Sequence, residues 1–148
     1  MVLRIIPDIV QGQEISVLTE ECTAGETARL MLDLDIAAVV VAGEGGKLVG
    51  IVTERDLTRR VLAKGLDPDK ATIGDIMTRD PDTLNPGDTA VDALELMRTR
   101  HYRHLPVVDG ERVVGMVSIR DLYAAVKLKL EERIRETEAF VFGDRYGG

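Results

Sequence analysis

GIVTERD, at residues 50–56, recurs as GMVSIRD at residues 115–121. Both stretches place a glycine, then a hydroxyl residue three positions later, then an aspartate after three more. Working outward from this pair, a shift of 66 residues aligns Leu18 with Leu84, and the shift becomes 65 beyond a turn that is one residue longer in the first half. Self-similarity of this kind is the signature of a repeated structural unit. The sequence therefore predicts two copies of one fold in a single chain.

Each half is predicted to fold as strand, helix, strand, strand, helix. In the second half, apolar residues at i, i+3, i+4 and i+7 from Ala90 predict a helix with one buried face. Apolar runs at 105–108 and 113–118 follow, and the Asp-Gly-Glu-Arg between them predicts a hairpin turn. The first half has matching runs at 36–41 and 48–53. The predicted fold class is α+β, close to α/β, with two β-α-β-β-α repeats.

The chain is predicted to divide into five parts. They are an N-terminal extension at 1–14, a first repeat at 15–66, a linker at 67–80, a second repeat at 81–130, and a C-terminal helix and tail at 131–148. A unit of about 60 residues buries only a marginal core. We therefore expect the repeats to pack face to face about a pseudo-two-fold axis, with a cleft between them.

The C-terminal stretch is predicted to continue as a charged helix to about residue 139. Beyond it lie the aromatic residues Phe140, Phe142 and Tyr146. An isolated tail would expose these side chains, so we expect them to dock on the two repeats or on a second copy of the chain.

Composition excludes several classes of protein. The 148 residues include 19 Lys and Arg against 26 Asp and Glu, a net charge of −7, and only 3% are aromatic. Nucleic-acid binding, which uses basic patches and stacking aromatics, is therefore not expected. The longest apolar run, at 36–42, is far shorter than the roughly 20 residues that cross a bilayer, and no signal peptide precedes it. We expect a cytoplasmic protein without a membrane partner.

Enzymatic and metal chemistry are not predicted either. The sequence has no phosphate-binding P-loop, no HExxH and no GxSxG motif. Ser118 as a nucleophile with His104 as its base lacks a third, orienting group. Cys22 is the single cysteine and has only two histidines with which to share a metal. We predict no catalytic residue and no metal site.

The repeated hydroxyl and aspartate residues admit two interpretations. A hydroxyl followed three positions later by an acid forms a capping box, in which the two side chains bind free backbone N–H groups at a helix start. The same geometry suits a ligand, because a helix N-terminus attracts an anion and a carboxylate can accept two ribose hydroxyls. Arg55 and Arg120 directly precede the two aspartates and would suit phosphate.

From about Ile15 to Leu130 the sequence resembles a tandem pair of cystathionine-β-synthase (CBS) domains, also called a Bateman module. The resemblance rests on the duplicated motif, the order of elements, IGDIMT at 73–78 and RHLPVV at 103–108. It implies two clefts for adenosyl ligands such as AMP, ADP, ATP, NAD(H) or S-adenosylmethionine. We expect AMP, ADP or ATP, with no metal required.

In that family the motif aspartate holds the ribose, and the hydroxyl residue contacts ribose or phosphate. The resemblance places Thr53 and Asp56 in a first cleft, and Ser118, Asp121, Arg103 and His104 in a second. From their positions in the sequence, Arg55 is assigned to the first cleft, and Arg120, Met77 and Thr78 to the second. Arg103 and His104 correspond to a basic pair that binds phosphates in nucleotide-sensing members, whereas the shift puts Ala37 and Ala38 at these positions in the first half. We therefore expect the second cleft to be the better nucleotide site.

Two functions remain open at this point. In the first, the chain is a stand-alone regulatory module: an adenosyl ligand favours one relative orientation of the repeats, and an unknown effector protein reads that orientation. In the second, the chain is a structural interaction protein whose motifs only cap helices. Homodimerisation is expected in either case.

Overall fold

Both repeats contain the predicted helix, hairpin and helix. The computed structural model describes residues 2–12 and 14–146, with side chains described to residue 141. The first repeat comprises β1 (Val17–Leu18), α1 (Ala24–Leu34), β2 (Ala38–Ala42), β3 (Leu48–Thr53) and α2 (Glu54–Leu57), which a π-helical turn (Thr58–Leu62) extends. The segment before the second repeat forms α3 (Ile73–Ile76) and β4 (Thr78–Arg79), and the second repeat comprises α4 (Ala90–Arg100), β5 (His104–Asp109), β6 (Arg112–Ser118) and α5 (Ile119–Tyr146).

The predicted α+β fold is confirmed, with one difference in the second repeat. There the first strand is reduced to a parallel bridge between Leu84 and Val107, whereas β1 of the first repeat pairs in parallel with β2 over two residues. Pro81 and Pro86 flank Leu84, and a proline cannot donate a hydrogen bond to a strand ladder. The two prolines therefore limit this strand to its single bridge.

The strands form two separate sheets. The first has the order β1-β2-β3-β4, and the second is the β5-β6 hairpin. In β2, Val39, Val40 and Val41 are all buried, so this strand is covered on both faces. Antiparallel pairing of β2 with β3, and of β5 with β6, brings the end of each hairpin back beside its start.

The first long helix of each repeat begins at a capping box. Thr23 Oγ1 accepts a hydrogen bond from Glu26 N at 3.1 Å, and Thr23 N donates to the Glu26 carboxylate at 3.3 Å. Thr89 and Asp92 form the same pair of bonds at the start of α4. The capping box that sets the start of each helix is therefore repeated at an interval of 66 residues.

The segments that precede the two repeats are exchanged between them. Ile73, just before the second repeat, donates its backbone N–H to Cys22 O at 2.8 Å and is buried in the core of the first repeat. Ile5, before the first repeat, donates its backbone N–H to Asp88 O at 2.8 Å and is buried in the core of the second. Each repeat therefore completes its core with a segment that precedes the other repeat.

The pseudo-two-fold axis passes between the ends of the two hairpins. Lys47 and Arg112, which are equivalent under the shift of 65 residues, form an antiparallel bridge across the repeat boundary. Lys47 Nζ also lies 3.3 Å from a carboxylate oxygen of Glu111. A direct contact between equivalent residues means that the repeats pack face to face about an axis at this point.

α5 continues well beyond the second repeat. Leu122 is buried in the second core and Val126 packs against it, whereas all residues at 133–141 are exposed. Phe140 is 71% exposed, so it does not dock on the two repeats of its own chain, and docking on a second copy stays a prediction. The side chains of Phe142 and Tyr146 lie outside the described residues. Within the described part of the chain, no helix has the length and apolar character to cross a bilayer.

The exchanged N-terminal segment can be tested with Ile5→Ala. Ile5 is 0% exposed, and its truncation leaves a cavity in the second core, so we expect the free energy of unfolding to fall by about 2–4 kcal/mol. Val2→Ala is the control, because Val2 is 58% exposed in the same segment; its effect should stay within about 0.5 kcal/mol. Urea unfolding measures both. Equal, small effects would contradict a role for this segment in the core.

Candidate functional site

Two cavities lie between the repeats, and each contains one copy of the repeated motif. The larger, of about 560 Å³, is lined by Thr53 and Asp56 and is called the Asp56 cavity below. The smaller, of about 300 Å³, is lined by Ser118 and Asp121 and is called the Asp121 cavity. His104 lines both cavities, so it lies between them.

Both motifs form capping boxes. Thr53 N donates to Asp56 Oδ2 at 2.9 Å, and Asp56 N donates to Thr53 Oγ1 at 3.3 Å. Ser118 N donates to Asp121 Oδ2 at 3.2 Å, and Asp121 N donates to Ser118 Oγ at 3.1 Å. The capping interpretation of the motif is therefore correct. The backbone N–H bonds of each capping box use only the Oδ2 atom of the aspartate. The same carboxylate can therefore cap the helix and contact a ligand.

The Asp56 cavity has a cationic wall. Arg55, Arg100 and Arg103 line it, and all three are exposed. Arg100 Nε lies 3.9 Å from Asp82 Oδ2, whereas Arg55 and Arg103 form no ion pair within 4 Å among the described residues. In a chain of net charge −7 this concentration of guanidinium groups favours an anionic ligand.

Arg60 also lines the Asp56 cavity but has a structural partner. Its Nη1 donates to the backbone oxygens of Ile76 and Met77, both at 2.9 Å. Its Nε lies 3.7 Å from Asp56 Oδ1. Arg60 therefore connects the motif aspartate to the segment that precedes the second repeat, and fixes one edge of the cavity.

The structure corrects the grouping of residues predicted from the sequence. Arg103 and Thr78, which were predicted in the cleft of Ser118 and Asp121, line the Asp56 cavity. Met77 is buried in the core of the first repeat and lines neither cavity; its backbone oxygen accepts from Arg60. Arg120 does lie with Ser118 and Asp121.

The physical reason is that each cavity crosses the repeat boundary. The Asp56 cavity combines the α2 start of the first repeat with Arg103 and His104, which lead into β5 of the second. The Asp121 cavity combines the α5 start of the second repeat with Ala37 and Ala38, which lead into β2 of the first. Face-to-face packing therefore places Arg103 in the Asp56 cavity and His104 in both cavities, so the basic pair on which the preference for the second cleft was based is not confined to that cleft.

The Asp121 cavity has the opposite electrostatic character. Glu14, Asp35 and Asp121 line it, and Arg120 is the one arginine or lysine among its described lining residues. A phosphate group in this cavity would face three carboxylates with one guanidinium to offset them. The two cavities are thus chemically different despite their equivalent motifs.

Sequence reasoning missed several residues of the Asp56 cavity. Arg100, His101 and Tyr102 line it because α4 ends there, with His101 in the left-handed conformation at φ 62°. Ile51, Glu54, Arg60 and Pro81 also line it and were not predicted. The available signal was RTRHYRH at 98–104, a run of basic residues in an acidic chain.

His104 is held in its neutral form. Burial lowers the pKa of His104 below its ordinary value of 6.5, and the guanidinium of Arg103 lowers it further. The carboxylates of Asp121 and Glu54 act in the opposite direction but do not reverse the shift. Burial therefore favours the uncharged ring, in which one nitrogen is a donor and the other an acceptor.

Within the described residues, no three His, Cys, Asp or Glu side chains are grouped closely enough to hold a metal ion. The lining residues of the two cavities offer hydrogen bonds and charge to a ligand.

Comparison with known proteins gives a consistent result. The CBS domain model matches residues 7–63 and 73–128. The "CBS domain-containing protein CBSX3, mitochondrial" of Arabidopsis thaliana is 33% identical over 129 residues, which is 84% of this chain and 63% of that protein. The chain thus spans less than two thirds of the length of this curated relative.

Solved structures with the same fold include ligand complexes. The CBS domain pair of protein MJ0100, in complex with 5′-methylthioadenosine and S-adenosyl-L-methionine, superposes with a TM-score of 0.78 at 26% identity, over 87% of this chain and 99% of that one. A CBS domain protein from Pyrobaculum aerophilum, complexed with AMP, has a TM-score of 0.72 at 29% identity, over 80% of this chain and 89% of that one.

The environment of His104 predicts its titration. We expect its NMR titration midpoint to lie below 6.5, because burial favours the neutral ring. The unfolded chain then binds a proton at His104 more readily than the folded chain does. The contribution of His104 to the free energy of unfolding is therefore fully present above about pH 6.5 and is lost as pH falls through the folded-state pKa. His101→Gln assigns the two histidine signals. A midpoint at or above 6.5 would contradict the buried, neutral state.

Proposed function

This chain belongs to the CBS domain family, and from that membership we propose that it is a regulatory module that binds an adenine nucleotide. The proposed site is the Asp56 cavity, and AMP, ADP and ATP are the proposed ligands. The observation that carries the proposal is the cationic wall of Arg55, Arg100 and Arg103 facing a motif aspartate. The volume of about 560 Å³ lies within the usual range of ligand pockets.

The proposed binding mode uses both repeats. The Asp56 carboxylate, from the first repeat, accepts hydrogen bonds from the ribose hydroxyls. The exposed guanidinium groups of Arg55 and Arg103 bind phosphate, and Arg103 belongs to the second repeat. Ile51 and Tyr102 supply apolar surface for the adenine. The ligand therefore bridges the repeat boundary.

A bridging ligand supports a regulatory mechanism. Because its contacts come from both repeats, the nucleotide binds most tightly to one relative orientation and shifts the population toward it. We propose that a separate effector protein in the cytoplasm reads this orientation, and that the module acts as a homodimer. Enzymatic activity forms no part of the proposal.

The Asp121 cavity is proposed to prefer a different adenosyl ligand. Its carboxylates disfavour polyphosphates but suit a ligand without phosphate that carries a positive charge. S-adenosylmethionine has this character, and the complex of the MJ0100 domain pair with this compound supports its inclusion. NAD(H) carries two phosphates and would be directed to the Asp56 cavity.

The alternative is a structural interaction protein. The capping boxes at Thr53 and at Ser118 favour it, because they account for both motifs without a ligand. Capping alone gives no reason for the cationic residues opposite Asp56. Direct binding measurements separate the two functions.

The test is a panel of AMP, ADP, ATP, NAD, NADH and S-adenosylmethionine, measured by thermal shift and titration calorimetry. Protein free of adenine absorbance is used. At about 100 times Kd, an adenine nucleotide should raise Tm by about 5–10 °C. Arg103→Gln and Asp56→Asn should each abolish this rise in Tm, measured against the same variant without ligand. Asp56→Asn keeps a side-chain oxygen for the cap, so its loss of the rise reports on binding and not on the helix start.

Asp121→Asn is the matched control, because it makes the same change in the other motif. It should leave the shift with AMP, ADP and ATP intact. Loss of the shift in Asp121→Asn but not in Asp56→Asn would contradict the assigned cavity. No shift with any compound would leave the structural dimer as the better account.

A further inference from the structure

α5 is long enough to present a surface of its own. Its 28 residues span about 42 Å at 1.5 Å per residue. Leu122 and Val126 pack against the second repeat, whereas residues 133–141 are all exposed. A single exposed helix gains little stability by itself in water, so an apolar stripe on it calls for a partner.

Four exposed apolar residues form such a stripe. Tyr123, Leu130, Ile134 and Val141 lie within about 40° of one another around the helix axis, at 100° per residue. We call these four residues the outer stripe. The buried Leu122 lies about 100° away from Tyr123, so the outer stripe does not face the second repeat.

The residue types of the outer stripe match a two-stranded coiled coil. The spacing puts Tyr123 and Leu130 at d positions of a heptad, and Ile134 and Val141 at a positions. In parallel coiled coils, a β-branched residue at a with leucine at d favours two strands. Lys127 occupies the remaining a position and Thr137 the remaining d position. A polar residue at an a position restricts the register at some cost in stability.

Charges beside the stripe distinguish the orientation of the two helices. Arg133 is at a g position and Glu138 at the following e position. In a parallel pair, g of one helix faces this e of the other, so two Arg133–Glu138 pairs form by symmetry. In an antiparallel pair, e faces e, which would oppose Glu131 and Glu138 of the two helices. The Arg133–Glu138 pairs and the avoided Glu–Glu contacts favour the parallel arrangement, and the meeting of the two Lys127 side chains at facing a positions opposes it in part.

We propose that the outer stripe binds the outer stripe of a second copy of this chain, as a short parallel coiled coil along α5. The proposal deepens the homodimer of the proposed function and identifies the surface that forms it. It is independent of the ligand in the Asp56 cavity.

The first experiment is sedimentation equilibrium of the full chain with Ile134→Lys. Wild type should be a dimer, and the variant should raise the dimer dissociation constant by roughly tenfold or more, because two ammonium groups meet in the apolar seam. Leu128→Lys is the matched control: Leu128 is 54% exposed against 57% for Ile134, on the same helix, but about 140° from the stripe centre. The control should remain dimeric.

Charge exchange and cross-linking test the orientation. Arg133→Glu should weaken the dimer, and the double variant Arg133→Glu with Glu138→Arg should restore it. In a Cys22→Ser background, Leu130→Cys and Thr137→Cys should each form an intermolecular disulfide, since a parallel pair joins equal residue numbers. An antiparallel register can bring at most one of these positions opposite itself, so a single cross-link would overturn the parallel arrangement.

The outcomes separate this inference from the nucleotide proposal. A monomeric wild type would overturn the homodimer and the interface together. A dimer that survives Ile134→Lys would overturn the interface alone. The nucleotide panel is repeated on Ile134→Lys. An unchanged thermal shift in this variant would show that the Asp56 cavity is intact. Loss of dimerisation can therefore be distinguished from loss of nucleotide binding.

Discussion

The exchange of leading segments constrains the rest of this structure. Ile5 and Ile73 are fully buried. Ile5, which comes before the first repeat, lies in the core of the second, and Ile73, which comes just before the second repeat, lies in the core of the first. Neither repeat can complete its core alone, so the two cannot separate without exposing apolar surface. This constraint holds the repeats face to face and allows a contact between the equivalent residues Lys47 and Arg112. The two cavities exist because the repeats are held in this way.

The same packing explains the difference between the cavities. Each combines a helix start from one repeat with the strand entry of the other, so a sequence change in one repeat alters the cavity of the opposite motif. Arg103 lines only the Asp56 cavity and Ala38 only the Asp121 cavity, whereas His104 and Ala37 line both. The two repeats thus form two cavities whose lining residues carry opposite net charge, while both motifs keep their capping boxes.

Local signals were sufficient to predict most of the fold but not the composition of the cavities. The helix that starts at Ala90, the hairpin at 109–112 and the repeat itself are encoded within short stretches, and the structure contains all of them. The partner of Asp56 depends on contacts between residues about 50 positions apart, which alignment of one half on the other cannot supply. That alignment identifies equivalent residues, whereas the cavity joins non-equivalent ones.

The position of α5 has a mechanical consequence. Its first turn contains Asp121 and is fixed by the Ser118 cap at the smaller cavity, and its far end lies about 42 Å away. A rigid helix anchored at one end acts as a lever: a tilt of about 5° at the cap would displace the far end by about 4 Å, given this length. A small tilt of α5 at its first turn, which leaves the fold around Asp121 unchanged, therefore moves the far end of the helix by about the diameter of a side chain.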